Sequence, residues 1–292
     1  MPNDKFRSLL LLHLIVFIWG FTAIIGKLIT LDALALVWFR MLFAVFFIGA
    51  YVGYQKISWR HSRSMIPIFL GAGIVIALHW FTFFKAIKVS NVSVTLACLS
   101  TGAFFTSLLE PLFTAKKIVR YELFFGVLVI AGLTLIFKVE THFITGIGLA
   151  LLSAFLSALF AVLNSRWVAQ HEPVVITLFE LLGGVLFFSI LLALSGSFTA
   201  TFFQLSWSDL GYLLLLSSVC TAFAMIASTA LLRVLDAYTV MLTINLEPVY
   251  GIILAMLLFE DTETMSGTFY LGAIIILVTV IANGILKSRS TS

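Results

Sequence analysis

Residues 233–259 read RVLDAYTVMLTINLEPVYGIILAMLLF. From Tyr238 to Phe259 the single charge is Glu247, set beside Pro248 in mid-run. As helix, this run extends ~33 Å, enough to cross the roughly 30 Å hydrocarbon core of a bilayer. RVLD (Arg233–Asp236) before it reads as a short turn between two apolar runs. KVSN (Lys88–Asn91) is a similar turn 145 residues earlier. A membrane helix and a distant echo of its leading turn together decide the fold.

The rest of the chain agrees that the solvent is lipid. Of its 292 residues, 62% are hydrophobic and 10% charged, with mean hydropathy +1.16, whereas a soluble domain carries about 25% charged residues. A net charge of +4 is too small for the pI near 9.1 to signal nucleic-acid binding. Cys98 and Cys220 both fall in apolar runs. They read as small core residues, and no disulfide or metal framework can be built from them. The N-terminus has the Lys5 and Arg7 of a signal peptide, but its apolar run continues to Ile25 and reads as a first span.

Apolar runs predict ten transmembrane helices, at 7–26, 34–54, 64–86, 92–114, 120–138, 144–165, 174–194, 208–231, 238–259 and 267–286. Backbone groups in lipid must bond within their own segment, so the expected class is an all-α polytopic membrane protein. One set of loops and ends holds Lys5, Arg7, Lys56, Arg60, Arg63, Lys116, Lys117, Arg120, Arg166, Arg233, Lys287 and Arg289. The other holds Lys27, Lys85, Lys88 and Lys138. Positive charge favours the cytoplasm, which places both termini there and the protein in the inner (cytoplasmic) membrane. Trp59, Trp167 and Trp207 sit at span ends, as interfacial anchors do. The loops hold no soluble domain. GFTAIIGK (Gly20–Lys27) has five residues between its glycines where a phosphate loop needs four, so no ATP engine or other cofactor is expected.

Two five-helix halves, 1–139 and 140–292 within one membrane domain (1–292), account for the echoed turns. Gly126 and Gly272, 146 apart, occupy like places in helices five and ten. Five spans per half is an odd number, so the second half enters inverted, and a shared site is expected near the midplane. At an offset of 145, Glu247 aligns with Gly102 and not with Glu110 of LLEPLF (Leu108–Phe113). The two Glu-Pro pairs are therefore not equivalent. Glu110 is expected as a solvated helix end that reaches Lys116 or Lys117.

WGFTAIIGK in helix one, WFRMLFA in helix two and AIKVSNVSVTLACLSTGAFFTSLLEP through helices three and four carry a resemblance. So does LLRVLDAYTVMLTINLEPVYGIILAMLLFED in the second half. Over nearly its whole length the chain resembles the EamA-like, ten-helix branch of the drug/metabolite transporter superfamily. The resemblance implies secondary transport, usually export of amino acids, related metabolites or toxic compounds. It also implies a cavity among helices one to four and six to nine, with five and ten at the edge. The family often places proline in mid-helix four. Here STGAFF puts Gly102 there, with no proline to match Pro248 in a symmetric hinge.

Ionisable residues inside a membrane usually face a cavity or a partner. Glu247 is the foremost candidate, as substrate ligand and coupling group, because a carboxylate withdrawn from water holds a proton more tightly. Its alternative is a structural hydrogen bond. Pro248 removes a backbone donor from the Ile244 carbonyl and makes either a hinge or a static kink. Asn245 sits on the neighbouring turn. Arg40 is suited to a substrate carboxylate, or else snorkels. His79 and Trp80, at similar depth, offer an imidazole and an aromatic wall. Trp19 is deep enough to line the cavity. Glu180 is a candidate either to pair with His13 or to gate the cytoplasmic side. Helices five and ten carry no charge between Phe124 and Phe137 or between Thr268 and Leu286, as a lipid-facing scaffold requires.

The expected function is a secondary or facilitative transporter of small metabolites, with or without proton coupling, as monomer or homodimer. The alternatives are a membrane-embedded lipid-modifying enzyme and a non-catalytic assembly factor. Neither the paired acids or histidines of the first nor the long loops of the second are found in the sequence, so no enzyme activity or catalytic residue is expected. Arg40 and Glu247 together would suit a zwitterion, provided both face one cavity.

Overall fold

The computed structural model describes residues 2–113, 120–139, 141–235 and 237–290. Fourteen α-helices and no strand occur among them. In chain order they are α1 (Pro2–Leu28), α2 (Ala33–Tyr54), α3 (Ile66–Val89), α4 (Val92–Leu99), α5 (Gly102–Phe113), α6 (Arg120–Val139) and α7 (Ile144–Trp167). There follow α8 (Pro173–Leu194), α9 (Trp207–Ser217), α10 (Ala224–Leu231), α11 (Ala237–Ile244), α12 (Glu247–Leu258), α13 (Glu260–Glu263) and α14 (Gly267–Ser290). Seven stretches among the described residues are long and apolar enough to cross a membrane. Three shorter apolar helices accompany them, including Glu247–Leu258. Large apolar side chains face outward all round, among them Phe46, Leu112, Val127, Ile190 and Leu257, each at least 60% exposed. A soluble protein would not leave so much apolar surface uncovered. The protein is a multi-pass membrane protein.

Two apolar runs that read as continuous spans are broken. The run 92–113 divides at Ser100–Thr101, and the run 237–258 at Asn245–Leu246. These breaks are 145 residues apart, the same offset as the echoed turns. At the second, Pro248 stands in the first turn of α12, where its missing N–H costs nothing. No proline is needed at the first. The Ser100 hydroxyl donates to the Ala97 carbonyl (2.6 Å) and the Thr101 hydroxyl to the Cys98 carbonyl (2.7 Å), satisfying acceptors near the end of α4. Helix nine of the expectation is thus two half-helices, and helix four is as well. A third irregularity lies between α9 and α10, where Ser218–Phe223 widen into a π-helical turn.

Glycines set the closest crossings. A Cβ on Gly73 of α3 would lie 1.9 Å from the Glu180 carbonyl oxygen of α8, and one on Gly183 would lie 2.2 Å from the Leu70 oxygen. Gly49, Gly53 and Gly71 meet nothing within 4 Å and face outward. Gly132 of α6 and Gly272 of α14 approach each other's carbonyls, each Cβ position 2.8 Å from the facing oxygen. Those two helices pair at the edge of the bundle.

The two ends of the bundle are held differently. At the end away from the chain termini, Glu263 is fully buried. It accepts from the Lys27 ammonium (2.7 Å) and from the Val92 and Ser93 amides (3.0 and 2.8 Å). Asn91 caps the same helix start through the Val94 amide (2.8 Å). Beside it, Asp209 accepts from the Thr30 amide and hydroxyl (2.8 and 2.6 Å), and Lys88 donates to the Ile29 carbonyl (3.0 Å). At the terminal end, Arg233 donates to the Val168 and His171 carbonyls, both at 2.9 Å. Trp207 and Trp59 are exposed at span ends, whereas Trp167 packs on Phe69 at 5.5 Å between ring centres. Cys98 and Cys220 are free and buried.

Candidate functional site

A partly open cavity lies within the bundle. It is walled by residues of α1, α2, α3, α4, α7, α10, α11 and α12. Neither α6 nor α14 contributes to the wall. Trp19, Arg40, His79, Trp80 and Glu247 all line it, with Phe83, Asn164 and Ser228 among the rest.

Arg40 is the largest fully buried side chain, 1% exposed. Its guanidinium lies flat on the Trp80 ring, with Cζ 3.8 Å from the ring centre, and Phe84 stands 5.5 Å away. A desolvated cation gains most from such a face. Nε donates to the Thr221 hydroxyl (2.7 Å), and Nη1 is buried without a partner. The π-helical turn makes this contact possible. Its extra residue lets Thr221 donate to the Leu216 carbonyl five residues back (2.7 Å) while its oxygen faces Arg40. Cys220, next in the same turn, offers its carbonyl to Trp19 Nε1 (3.1 Å). Snorkelling is excluded for Arg40 in this arrangement, since its charged head is buried.

Glu247 opens α12 immediately after the break and is 6% exposed. Among the described residues it has no hydrogen-bond partner and no ion pair within 4.0 Å. Arg40 therefore does not neutralise it by contact, although both line one cavity. A free carboxylate and a guanidinium with an unused N–H in one cavity suit a ligand carrying both signs of charge. His79 is tied down by Ser153 of α7, whose carbonyl lies 2.9 Å and hydroxyl 2.8 Å from Nδ1. A carbonyl can only accept, so in the neutral ring Nδ1 carries the proton and Nε2 is the basic nitrogen.

Three expectations need correction. Asn245 does not line the cavity. It lies in the break itself, 2% exposed, with its amide nitrogen unpartnered, because the turn rotates it away from the wall that Ile244 and Glu247 share. Glu180 does not meet His13. It is fully buried and accepts from Asn164 Nδ2 (2.8 Å), whereas His13 is exposed and bonds the Leu9 carbonyl of its own helix (2.7 Å). Glu110 is not a solvated helix end but 4% exposed, and Lys116 and Lys117 lie outside the described residues. Pro248 is buried beside Glu247. Sequence reasoning missed Asn164, Thr221 and Glu263. The first two are common polar residues with no charge to flag them. Glu263 sits in the acidic loop FEDTET, where residue type does not tell the buried carboxylate from the exposed Glu260.

A family model described as the EamA-like transporter family matches the chain twice, over residues 6–138 and 144–284. One solved structure, a crystal structure of a protein, is similar with a TM-score of 0.70 and 13% identity, covering 97% of this chain and 98% of that one. At that identity the likeness speaks to the fold alone. No curated protein matches. The two family matches span most of the sequence, and on that ground the chain belongs to the EamA-like transporter family, membrane proteins that carry small molecules.

Proposed function

We propose that this protein is a secondary transporter of a small zwitterion, an apolar or aromatic amino acid or a close relative, working by alternating access. The observation that carries the reading is that Arg40 and Glu247 line one cavity without pairing to each other. The Arg40 fork takes the carboxylate through its unused N–H, Glu247 takes the ammonium, and Trp19, Trp80 and Phe83 enclose the side chain. Such a ligand neutralises both buried charges at once, which neither an amine nor an acid alone does.

Ten spans in two inverted halves, 1–139 and 140–292, fit the paired breaks and the two family matches. Half-helix ends at the midplane are where such folds bind their cargo. The lysine and arginine bias supports both termini in the cytoplasm of an inner-membrane protein. Lys27 with Glu263, and Thr30 with Asp209, tie elements together at the opposite end, which supports a cavity that opens toward the cytoplasm. Loading from that side corresponds to export. Proton coupling through Glu247 follows if it picks up a proton whenever the substrate ammonium leaves.

The test is transport in proteoliposomes with a pH-sensitive dye inside, offering amino acids, nucleobases and amphipathic cations to wild type and Glu247→Gln. Movement of apolar amino acids, with a dye response lost in the variant, is the expected result. Undiminished transport and unchanged selectivity in Glu247→Gln would overturn the assignment of that residue.

A further inference from the structure

A second polar site lies at the other end of the cavity wall, near the terminal end of the bundle. Asn164 of α7 spends both amide hydrogens, one on the Phe160 carbonyl (3.2 Å) and one on Glu180 Oε1 (2.8 Å). Because the Phe160 carbonyl can only accept, the orientation of this amide is determined, and Asn164 Oδ1 is left as an acceptor with no partner. Glu180 Oε2 also has no partner, and neither has the hydroxyl of Thr177, one turn earlier on the same face of α8. All three side chains are at most 1% exposed. Among the described residues no cation pairs with them. Against this turn α3 presents the glycine at 73, and α10 carries no ionisable residue. Arg40 of α2 is engaged with Thr221 and Trp80, and His79 of α3 with Ser153.

The three unused atoms are all oxygens, one of them on a carboxylate. Burying an ionised carboxylate without a countercharge is costly, and oxygen-only donors select hard cations. We propose that Glu180, Asn164 and Thr177 form a monovalent-cation site, for H⁺ or Na⁺, separate from the Arg40–Glu247 pair. Asn164 connects it to the transport path, because the same side chain that holds Glu180 also lines the cavity. Occupation of the site adds a contact at Asn164 Oδ1 to the two that its amide hydrogens already make. The proposal does not depend on which substrate the Arg40 end binds.

Two measurements on the purified full-length protein, both without substrate, distinguish the two ions. Direct binding of radioactive Na⁺, reduced at least roughly tenfold in Glu180→Gln, identifies a sodium site, since removal of the charged ligand weakens a hard-cation site most. Absence of Na⁺ binding, with an infrared carboxylic-acid band that is lost on raising the pH and is absent from Glu180→Gln, identifies a proton site. If that variant does not fold, the near-isosteric Thr177→Val and Asn164→Leu carry the test, expected to weaken Na⁺ binding or to shift the band. Overturning results are no Na⁺ binding together with no Glu180-dependent band, or a band that neither pH nor these variants move. Failure of amino-acid transport in the liposome assay bears on Arg40 and Glu247 and leaves this test standing.

Discussion

Arg40 is permanently charged, buried and held by two different kinds of contact. Trp80 takes its face, Thr221 takes Nε, and one edge is left for a ligand. Lysine keeps the charge but loses the planar fork that matches a carboxylate with two parallel bonds. Arg40→Lys is therefore expected to raise the KM for an apolar amino acid by roughly 10- to 100-fold, the worth of about 1.5–3 kcal/mol of charge-assisted hydrogen bonding, while barely changing KM for the matching decarboxylated amine. Initial rates of labelled substrate exchange measure both. Thr221→Val removes the group that orients Nε and leaves the charge. It is expected to raise KM for the amino acid by roughly tenfold, about one hydrogen bond to a charged group, with Thr221→Ser restoring it. Arg40 and Glu247 could be picked out in the sequence because charge in an apolar run is conspicuous. Thr221 could not, since its role depends on a local widening of the helix that no residue pattern announces.

Among the elements, α3 and α8 cross closely because glycine stands at the points of contact. A methyl on Gly183 would run into the backbone of Leu70, which cannot move aside as a side-chain tip can. Gly183→Ala should lower stability by about 1–3 kcal/mol, the usual cost of overpacking. Gly49→Ala, which meets open space, should stay within about 0.5 kcal/mol. Reversible unfolding in detergent micelles separates the two. The breaks at Ser100–Thr101 and Asn245–Leu246 belong to this scale as well. Pro248 advertised one of them. The other is made by hydroxyls that return to their own helix and by a glycine at 102, whose Cβ position is 2.9 Å from the tip of Met241 across the bundle. Proline is one way to stop a helix in lipid, and satisfied carbonyls followed by glycine are another.

For the whole molecule, alternating access requires one end of the cavity to be closed by contacts that can be exchanged. Glu263 joins α1, through Lys27, to the start of α4, and it is the partner on which both depend. Glutamine keeps one acceptor oxygen but sets an NH2 where the other stood, so the Lys27 ammonium loses its countercharge and one donor now faces another donor. Each 1.4 kcal/mol withdrawn from the closed state shifts the balance about tenfold toward the open one. Glu263→Gln is thus expected to increase, by roughly tenfold or more, the rate at which a membrane-impermeant thiol reagent added from that side labels Thr22→Cys in the cavity wall. Unchanged labelling would mean that Glu263 is a helix cap without a part in closure.

Much of the architecture was present in the residues before any coordinates. Length and apolarity decide that a segment lies in lipid, because an unsatisfied backbone there is too costly for anything but helix. The offset of 145 and the bare charge pattern of helices five and ten are likewise properties of the linear chain, and the charged candidates Arg40 and Glu247 follow from the expense of burying them. What required the tertiary structure was which face each helix turns inward. A helix places its side chains by rotation about its axis, and that rotation is set by neighbours. The glycine contacts, the two breaks and the π-helical turn bring Arg40 and Glu247 to one cavity, carry Asn245 out of it and leave Glu180 beside Asn164.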